Sequence, residues 1–222
     1  MAAIGLTAVG CGSDNTQNLS SDLSVTSDDN GGESEKTEDI SVKEYKQESG
    51  VGSTTYYFVL TNNTDSDLTL DTEVRALDEN GSELESSEMY VSIIGGGETT
   101  IASVYFDTEG IDRVEYTLEP EESEGYYESA ISDITYATTQ KDDSVVVDVT
   151  NNGNKDIEFG YVYGIFSDEN GNTLYIDWNS MYDSDYELKA GDTVSTELSY
   201  YGDADSYDNV ELYFQAYRAR LE

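Results

Sequence analysis

Three groups of side chains in this chain have the types and spacing to do chemistry. The first is Cys11, the only cysteine, in the run Leu6-Thr7-Ala8-Val9-Gly10-Cys11-Gly12-Ser13. An apolar stretch ends in small residues, and the thiol that follows is a nucleophile open to covalent modification. One cysteine forms no internal disulfide. The second group is acidic: Asp183 and Asp185 in one short string, with Glu187 beyond, and Asp203 and Asp205 in another, with Asp208 beyond. Hard cations such as calcium want six to eight oxygen ligands, so these four aspartates are candidate calcium ligands, although neither string has EF-hand spacing. The plainer reading of the same acids is solvated loops. The third group is Tyr175, Trp178, Tyr182 and Tyr186, with Asp177 and Asn179 interleaved. Aromatic rings beside amides and carboxylates suit stacking on a sugar face or a protein hot spot. Alternate aromatics also fill sandwich cores, and both readings stay open for Trp178, the only tryptophan.

Enzymatic chemistry finds little to work with. The 222 residues contain no histidine, so general acid–base work at neutral pH would fall to carboxylates. There is no Gly-x-Ser-x-Gly, no phosphate loop and no His–carboxylate metal motif. The expectation is a protein that is not an enzyme. Forty-eight acidic residues against 10 basic ones give a net charge of -38. That charge repels nucleic acid and anionic lipid head groups, and it favours cationic partners and divalent metals.

The elements that must carry these groups repeat. Tyr56-Tyr57-Phe58-Val59-Leu60-Thr61-Asn62-Asn63 returns as Val145-Val146-Val147-Asp148-Val149-Thr150-Asn151-Asn152. Leu77-Asp78-Glu79-Asn80-Gly81 returns as Ser167-Asp168-Glu169-Asn170-Gly171, and Val114-Glu115-Tyr116 as Val210-Glu211-Leu212. Two long copies, rather than many short ones, mean a duplicated domain. Within each copy the apolar period is two, the mark of half-buried strands. Tyr56, Phe58 and Leu60 should share a face, as should Val145, Val147 and Val149. Thr72, Val74 and Ala76 are expected to correspond to Tyr161, Tyr163 and Ile165. The Asn-Gly pairs tolerate positive φ and mark hairpins. The reading is all-β: two tandem antiparallel immunoglobulin-like sandwiches, 40–120 and 130–222, joined by a linker at 121–129. Ahead of them, residues 12–39 have no hydrophobic period and are expected to form a disordered acidic tether.

With these residues in view, two resemblances follow. Ala8-Val9-Gly10-Cys11 resembles the lipobox of bacterial lipoproteins, with residues 1–11 the remnant of a signal peptide. Such a peptide has a basic start, so the true start is expected upstream of Met1. Strands closing on Thr-Asn-Asn and on Asp-Glu-Asn-Gly, with Gly97-Glu98 or Gly191-Asp192 before a further strand, resemble the FxLYD-type immunoglobulin-like domains of such lipoproteins. Arg75-Ala76-Leu77-Asp78 and Gly164-Ile165-Phe166-Ser167-Asp168 stand in place of the family's eponymous string. The resemblance implies a protein held on the outer face of a cell membrane by lipid at Cys11, with a non-catalytic module that binds or scaffolds a protein or envelope polymer. The alternative is a carbohydrate- or calcium-assisted ligand-binding module in the second half.

Overall fold

A computed structural model describes residues 39–49, 52–123, 125–182, 187–202 and 206–220. Cys11 and residues 12–38 of the expected tether lie outside them, as do Asp183, Asp185, Tyr186, Asp203 and Asp205.

The described chain is all-β. The first copy of the repeat forms β1 (Ile40–Glu48), β2 (Thr54–Asn62), β3 (Leu68–Leu77), β4 (Glu83–Ile94), β5 (Thr99–Phe106), β6 (Arg113–Tyr116) and β7 (Glu121–Glu122). The second forms β8 (Tyr127–Ser129), β9 (Ile134–Gln140), β10 (Ser144–Asn151), β11 (Phe159–Ser167), β12 (Thr173–Ser180), β13 (Thr193–Ser199) and β14 (Asn209–Ala219). Every named pairing is antiparallel. Sheets β1-β2-β5 and β4-β3-β6 enclose one core; sheets β13-β10-β9 and β12-β11-β14-β8 enclose another. The strand order repeats with the sequence.

In the first sandwich Phe58, Leu60, Val74, Ala76, Val104 and Phe106 meet between the sheets; in the second Val145, Val147, Val149, Val162, Phe166 and Leu198 do so. Alternation decides this, because each strand turns every second residue inward. One expected correspondence is corrected. The residues of β11 that share the place of Thr72, Val74 and Ala76 are Val162, Gly164 and Phe166; Tyr161, Tyr163 and Ile165 point the other way. The Asp-Glu-Asn-Gly hairpins lie 90 residues apart in the two copies, as Asp78 and Asp168 show. That spacing, applied to β3, selects the even positions of β11.

The side chains that point the other way form a third core. Tyr45, Tyr57, Val59 and Ile101, on the outer face of β1-β2-β5, close against Tyr163, Ile165 and Ile176 on the outer face of β12-β11-β14-β8. The molecule is therefore four sheets deep. Burial of this apolar face is the driving term, and the Tyr57 and Tyr163 rings meet edge to face at 6.4 Å. Side-chain amides tie the sheet margins. Gln47 on β1 accepts from Ile176 N at 2.7 Å and donates to Ile176 O at 3.2 Å, so it pairs with the outer edge of β12 as a strand would. Gln215 donates to Ile101 O at 2.6 Å, and Thr100 donates to Phe214 O at 3.0 Å. Arg220 reaches Asp67 across the junction at 2.7 Å.

The repeated polar motifs hold loops. Asn62 and Asn151 are fully buried. Asn62 Nδ2 donates to Ser66 O, Ile94 O and Gly95 O, while its Oδ1 accepts from Thr64 N. Asn151 donates to Lys155 O and Leu188 O and accepts from Gly153 N. Each pins the loop after its own strand to a distant one. In the hairpins, one carboxylate oxygen of Asp78 accepts from Asn80 N and Ser82 N, and Asp168 does the same for Asn170 N and Asn172 N. Gly81 and Gly171 supply the positive φ, at 78° and 83°. The Asn172 side-chain amide first, with these backbone bonds, holds the Asp168 carboxylate below the usual aspartate range, and the bond from Ser82 N first does so for Asp78.

Within the segment read as a linker, 121–129, β7 pairs with β3 and β8 pairs with β14. β7 runs along β3 in the same direction as β6, from which a short break containing the only proline, Pro120, divides it. Proline has no N–H to give to the ladder. In β14, the counterpart of this stretch, pairing with β11 runs unbroken through Ala216.

Candidate binding surface

The third core does not use all of the outward face of β12-β11-β14-β8. Along β11 that face reads Phe159, Tyr161, Tyr163, Ile165; the last two are buried, Tyr161 is half-buried at the margin of the third core, and Phe159 is exposed. Trp178 pairs with Tyr163 across β12 and stands 52% exposed. Its ring lies 5.6 Å from Tyr161 edge to face and 6.2 Å from Tyr163. Tyr182 packs on Tyr161 at 6.1 Å, its hydroxyl donating to the Tyr161 hydroxyl at 3.2 Å. Further along, Phe159 stacks on Tyr217 at 4.9 Å, Tyr127 closes edge-on against both, and Tyr126 caps Tyr127 at 68% exposure. A strip of aromatic rings thus runs from the half-buried margin of the third core out into solvent.

The expected aromatic group divides. Trp178 and Tyr182 both sit against Tyr161. Tyr175 is an odd-numbered neighbour on β12 and faces the other way, where it meets Tyr200 at 6.1 Å and Tyr201 at 6.0 Å. Period two forbids Tyr175 and Trp178 from sharing a face. Asp177 and Asn179, on the Tyr175 side, cap the free edge of β13: Asp177 accepts from Ser199 N at 2.7 Å and Asn179 donates to Glu197 O at 3.1 Å. Burial raises the Asp177 carboxyl. Phe159, Tyr161, Tyr217 and Tyr127 were not singled out from the sequence. For three of them the signal is present as aromatics of one parity, two apart in Phe159-x-Tyr161-x-Tyr163 and four apart in Tyr213-x-Gln215-x-Tyr217; Tyr127 carries no such signal.

Electrostatics beside the strip are internally settled. Arg218 is 9% exposed and sits between Glu128 at 2.8 Å and Asp133 at 2.6 Å; Lys155 also reaches Glu128, at 2.7 Å. Hydrogen bonds from Lys155 and Arg218 hold the Glu128 carboxyl below its usual range. Burial pushes the hydroxyls of Tyr57 and Tyr163 up to about 12, so both stay neutral donors at any physiological pH. Among the described residues no group of three or more cysteines, aspartates and glutamates gathers as a metal site. A hollow lined by Tyr182, Leu188, Lys189 and Val194 holds about 100 Å³, small beside the ~300–1,000 Å³ of ligand pockets. An open polar hollow lies by Gln140, Lys141 and Tyr207.

No family model matches the chain, and no curated protein is similar enough in sequence to match it. Among solved structures, red sea bream transglutaminase is similar over 82% of this chain, at 10% identity and a TM-score of 0.27. The chain spans 29% of that protein's length. A likeness of this size carries no argument about activity.

Proposed function

We propose that this chain is a lipoprotein of the FxLYD-type resemblance, anchored by lipid at Cys11 on the extracytoplasmic face of a cell membrane, and that it binds or scaffolds a partner without catalysis. The observation that carries the binding half is the aromatic strip from Trp178 through Tyr161 and Phe159 to Tyr126. It offers part-exposed aromatic rings mounted on interlocked sheets, the setting in which aromatic anchors act as hot spots. The test is a photo-crosslinking residue at Phe159 or Tyr126, in the protein expressed from its full gene on intact cells. A reproducible capture that Trp178→Ala removes, while the fold is kept, is the expected result. Capture that is indifferent to the strip would overturn the assignment. Mass spectrometry of the same material should find a diacylglyceryl group on Cys11, and an unmodified thiol would remove the anchor.

A second reading, carbohydrate binding, is favoured by the half-exposed indole of Trp178 framed by Tyr161 and Tyr182. A glycan array probed with the full chain and with Trp178→Ala separates the two. A pure scaffold retains no sugar. Calcium assistance would rest on Asp183, Asp185, Asp203 and Asp205, outside the described residues; millimolar calcium should then raise the melting temperature above an ionic-strength control.

A further inference from the structure

The free edges of the second sandwich are treated unequally. The outer edge of β12 is met by Gln47, and that of β13 by Asp177 and Asn179. Phe214 O on β14 takes the Thr100 hydroxyl. Two edges remain: the three-residue β8, and β9, Ile134–Gln140, which pairs with β10 on one side. Bonds from Asn152 N to Asp133 O and from Lys141 N to Ser144 O fix the alternation. Odd-numbered residues turn their main chain to β10, so Ile134, Tyr136, Thr138 and Gln140 turn their N–H and C=O groups outward. Six of the seven side chains are exposed, and the strand Ile-Thr-Tyr-Ala-Thr-Thr-Gln carries no charge and no proline.

Proteins usually blunt such an edge with charge, bulges or cover. The corresponding strand of the first sandwich does so: β1 carries Lys43, Glu44, Lys46 and Glu48. In a chain of net charge -38, a neutral seven-residue edge rich in β-branched residues is the place where another strand can approach with least repulsion.

We propose that β9 is a strand-addition site whose occupant is β9 of a second copy of this chain, joined antiparallel about a two-fold axis. The sequence is self-complementary in one register. With Ala137 facing Ala137 of the second copy on the axis, Tyr136 falls opposite Thr138 and Ile134 opposite Gln140, and each such pair exchanges two main-chain hydrogen bonds. Thr135 faces Thr139, a favourable cross-strand pair. Just beyond the two strand ends, Asp133, which closes a 3-10 turn, falls level with Lys141, opposite charges at a spacing that a chain with 10 basic residues seldom supplies by chance. Asp133 is already held by Arg218 and Lys141 by Glu197, so the pairing links two existing ion pairs. The product is one continuous sheet of order β13-β10-β9-β9-β10-β13. Like-charged bodies oppose it, so added salt strengthens the dimer by screening.

The test is sedimentation equilibrium of the full chain carrying Cys11→Ser, at 10 to 500 μM and in 0.05 and 0.5 M NaCl. A monomer–dimer equilibrium tightened by salt is expected. Ala137→Lys sets two like charges on the axis, and Thr138→Pro removes an outward N–H that bonds no described residue. Each should weaken the dimer at least tenfold while leaving the circular-dichroism spectrum unchanged. Register is read by oxidation. Two Ala137→Cys copies meet at a Cα separation of about 4.5 Å and cross-link, whereas Thr139→Cys residues lie about 13 Å apart and do not. A monomer at every concentration, a dimer indifferent to both edge variants, or equal cross-linking at 137 and 139 each overturns the proposal.

Discussion

Replacing Ile101 with alanine tests whether the third core fuses the two sandwiches into one cooperative unit. Ile101 is fully buried, yet it faces away from the core of its own sandwich, toward Tyr163, Ile165 and Ile176. The substitution removes three carbons, worth about 2.4 kcal/mol at ~0.8 kcal/mol per buried CH₂. The cavity it leaves between two held sheets adds to this, so the loss should be about 3 kcal/mol, inside the ~2–5 kcal/mol range of such truncations. For a chain of this size each kcal/mol lowers the melting temperature by roughly 2–4 °C, which gives a fall of roughly 6–12 °C. Scanning calorimetry reads both consequences. The native protein should melt in one transition whose van't Hoff and calorimetric enthalpies agree. Ile101→Ala should melt earlier, with the two enthalpies drawn apart as the sandwiches uncouple. Tyr105→Ala, on the same face of β5 but 55% exposed, should cost about 1 kcal/mol or less. A loss under 1 kcal/mol at Ile101, or two separate transitions in the unaltered protein, would refute the coupling.

Three other outcomes are expected. Asn151→Ala leaves the Gly153 N–H without its acceptor and takes one donor each from Leu188 O, which keeps Ile157 N, and from Lys155 O, which keeps Arg218 Nη1; it should cost about 1–2 kcal/mol by urea unfolding, against about 0.5 kcal/mol or less for exposed Asn152→Ala. The Glu128 carboxyl is held low in the folded state by Lys155 and then Arg218. Its contribution is therefore full above the unfolded value near ~4.3 and is lost as pH falls through the lower folded value. Glu128→Gln should flatten the acid limb of the urea midpoint against pH. Asp177, raised by burial, works with the opposite sign, because stability declines as pH climbs from its unfolded value through its folded one. Trp178→Ala should cost about 1–2 kcal/mol, well short of the ~3–5 kcal/mol of a buried tryptophan, because half of the ring already meets water; a larger loss in urea would contradict its surface placement.

Much of each sandwich was legible. The alternation in Val145, Val147 and Val149 assigns a core face without help, and the Asp-Glu-Asn-Gly hairpins set the length of the strands around them. The stacking of the sandwiches was harder to see, since an apolar residue gives no sign of which of two faces will be covered. The clue lay in β2 and β11. Tyr56-Tyr57-Phe58-Val59-Leu60 and Val162-Tyr163-Gly164-Ile165-Phe166 are unbroken apolar runs, the pattern of strands buried on both sides. Reading β11 by a single period put Tyr161, Tyr163 and Ile165 on the wrong face. The candidate site suffered from the same effect. Trp178 and Tyr182 come together through Tyr161, which sequence spacing does not reveal, while Tyr175 is nearer to Trp178 in sequence and belongs to the opposite face.

The sheet order β12-β11-β14-β8 has a consequence for synthesis. β14 is the last of these strands to leave the ribosome, and it takes a central seat between β11 and β8. The first sandwich has its strands once Glu122 has emerged. The second must hold a gap in its sheet until residue 219 is made. Through that interval the finished first sandwich displays Tyr45, Tyr57, Val59 and Ile101, a ready-made surface on which the later sheet can assemble. A chain released before Asn209 would keep one complete sandwich and leave that apolar face bare. Proteolytic quality control should therefore recognise truncations within the second half as sharply as damage to the first.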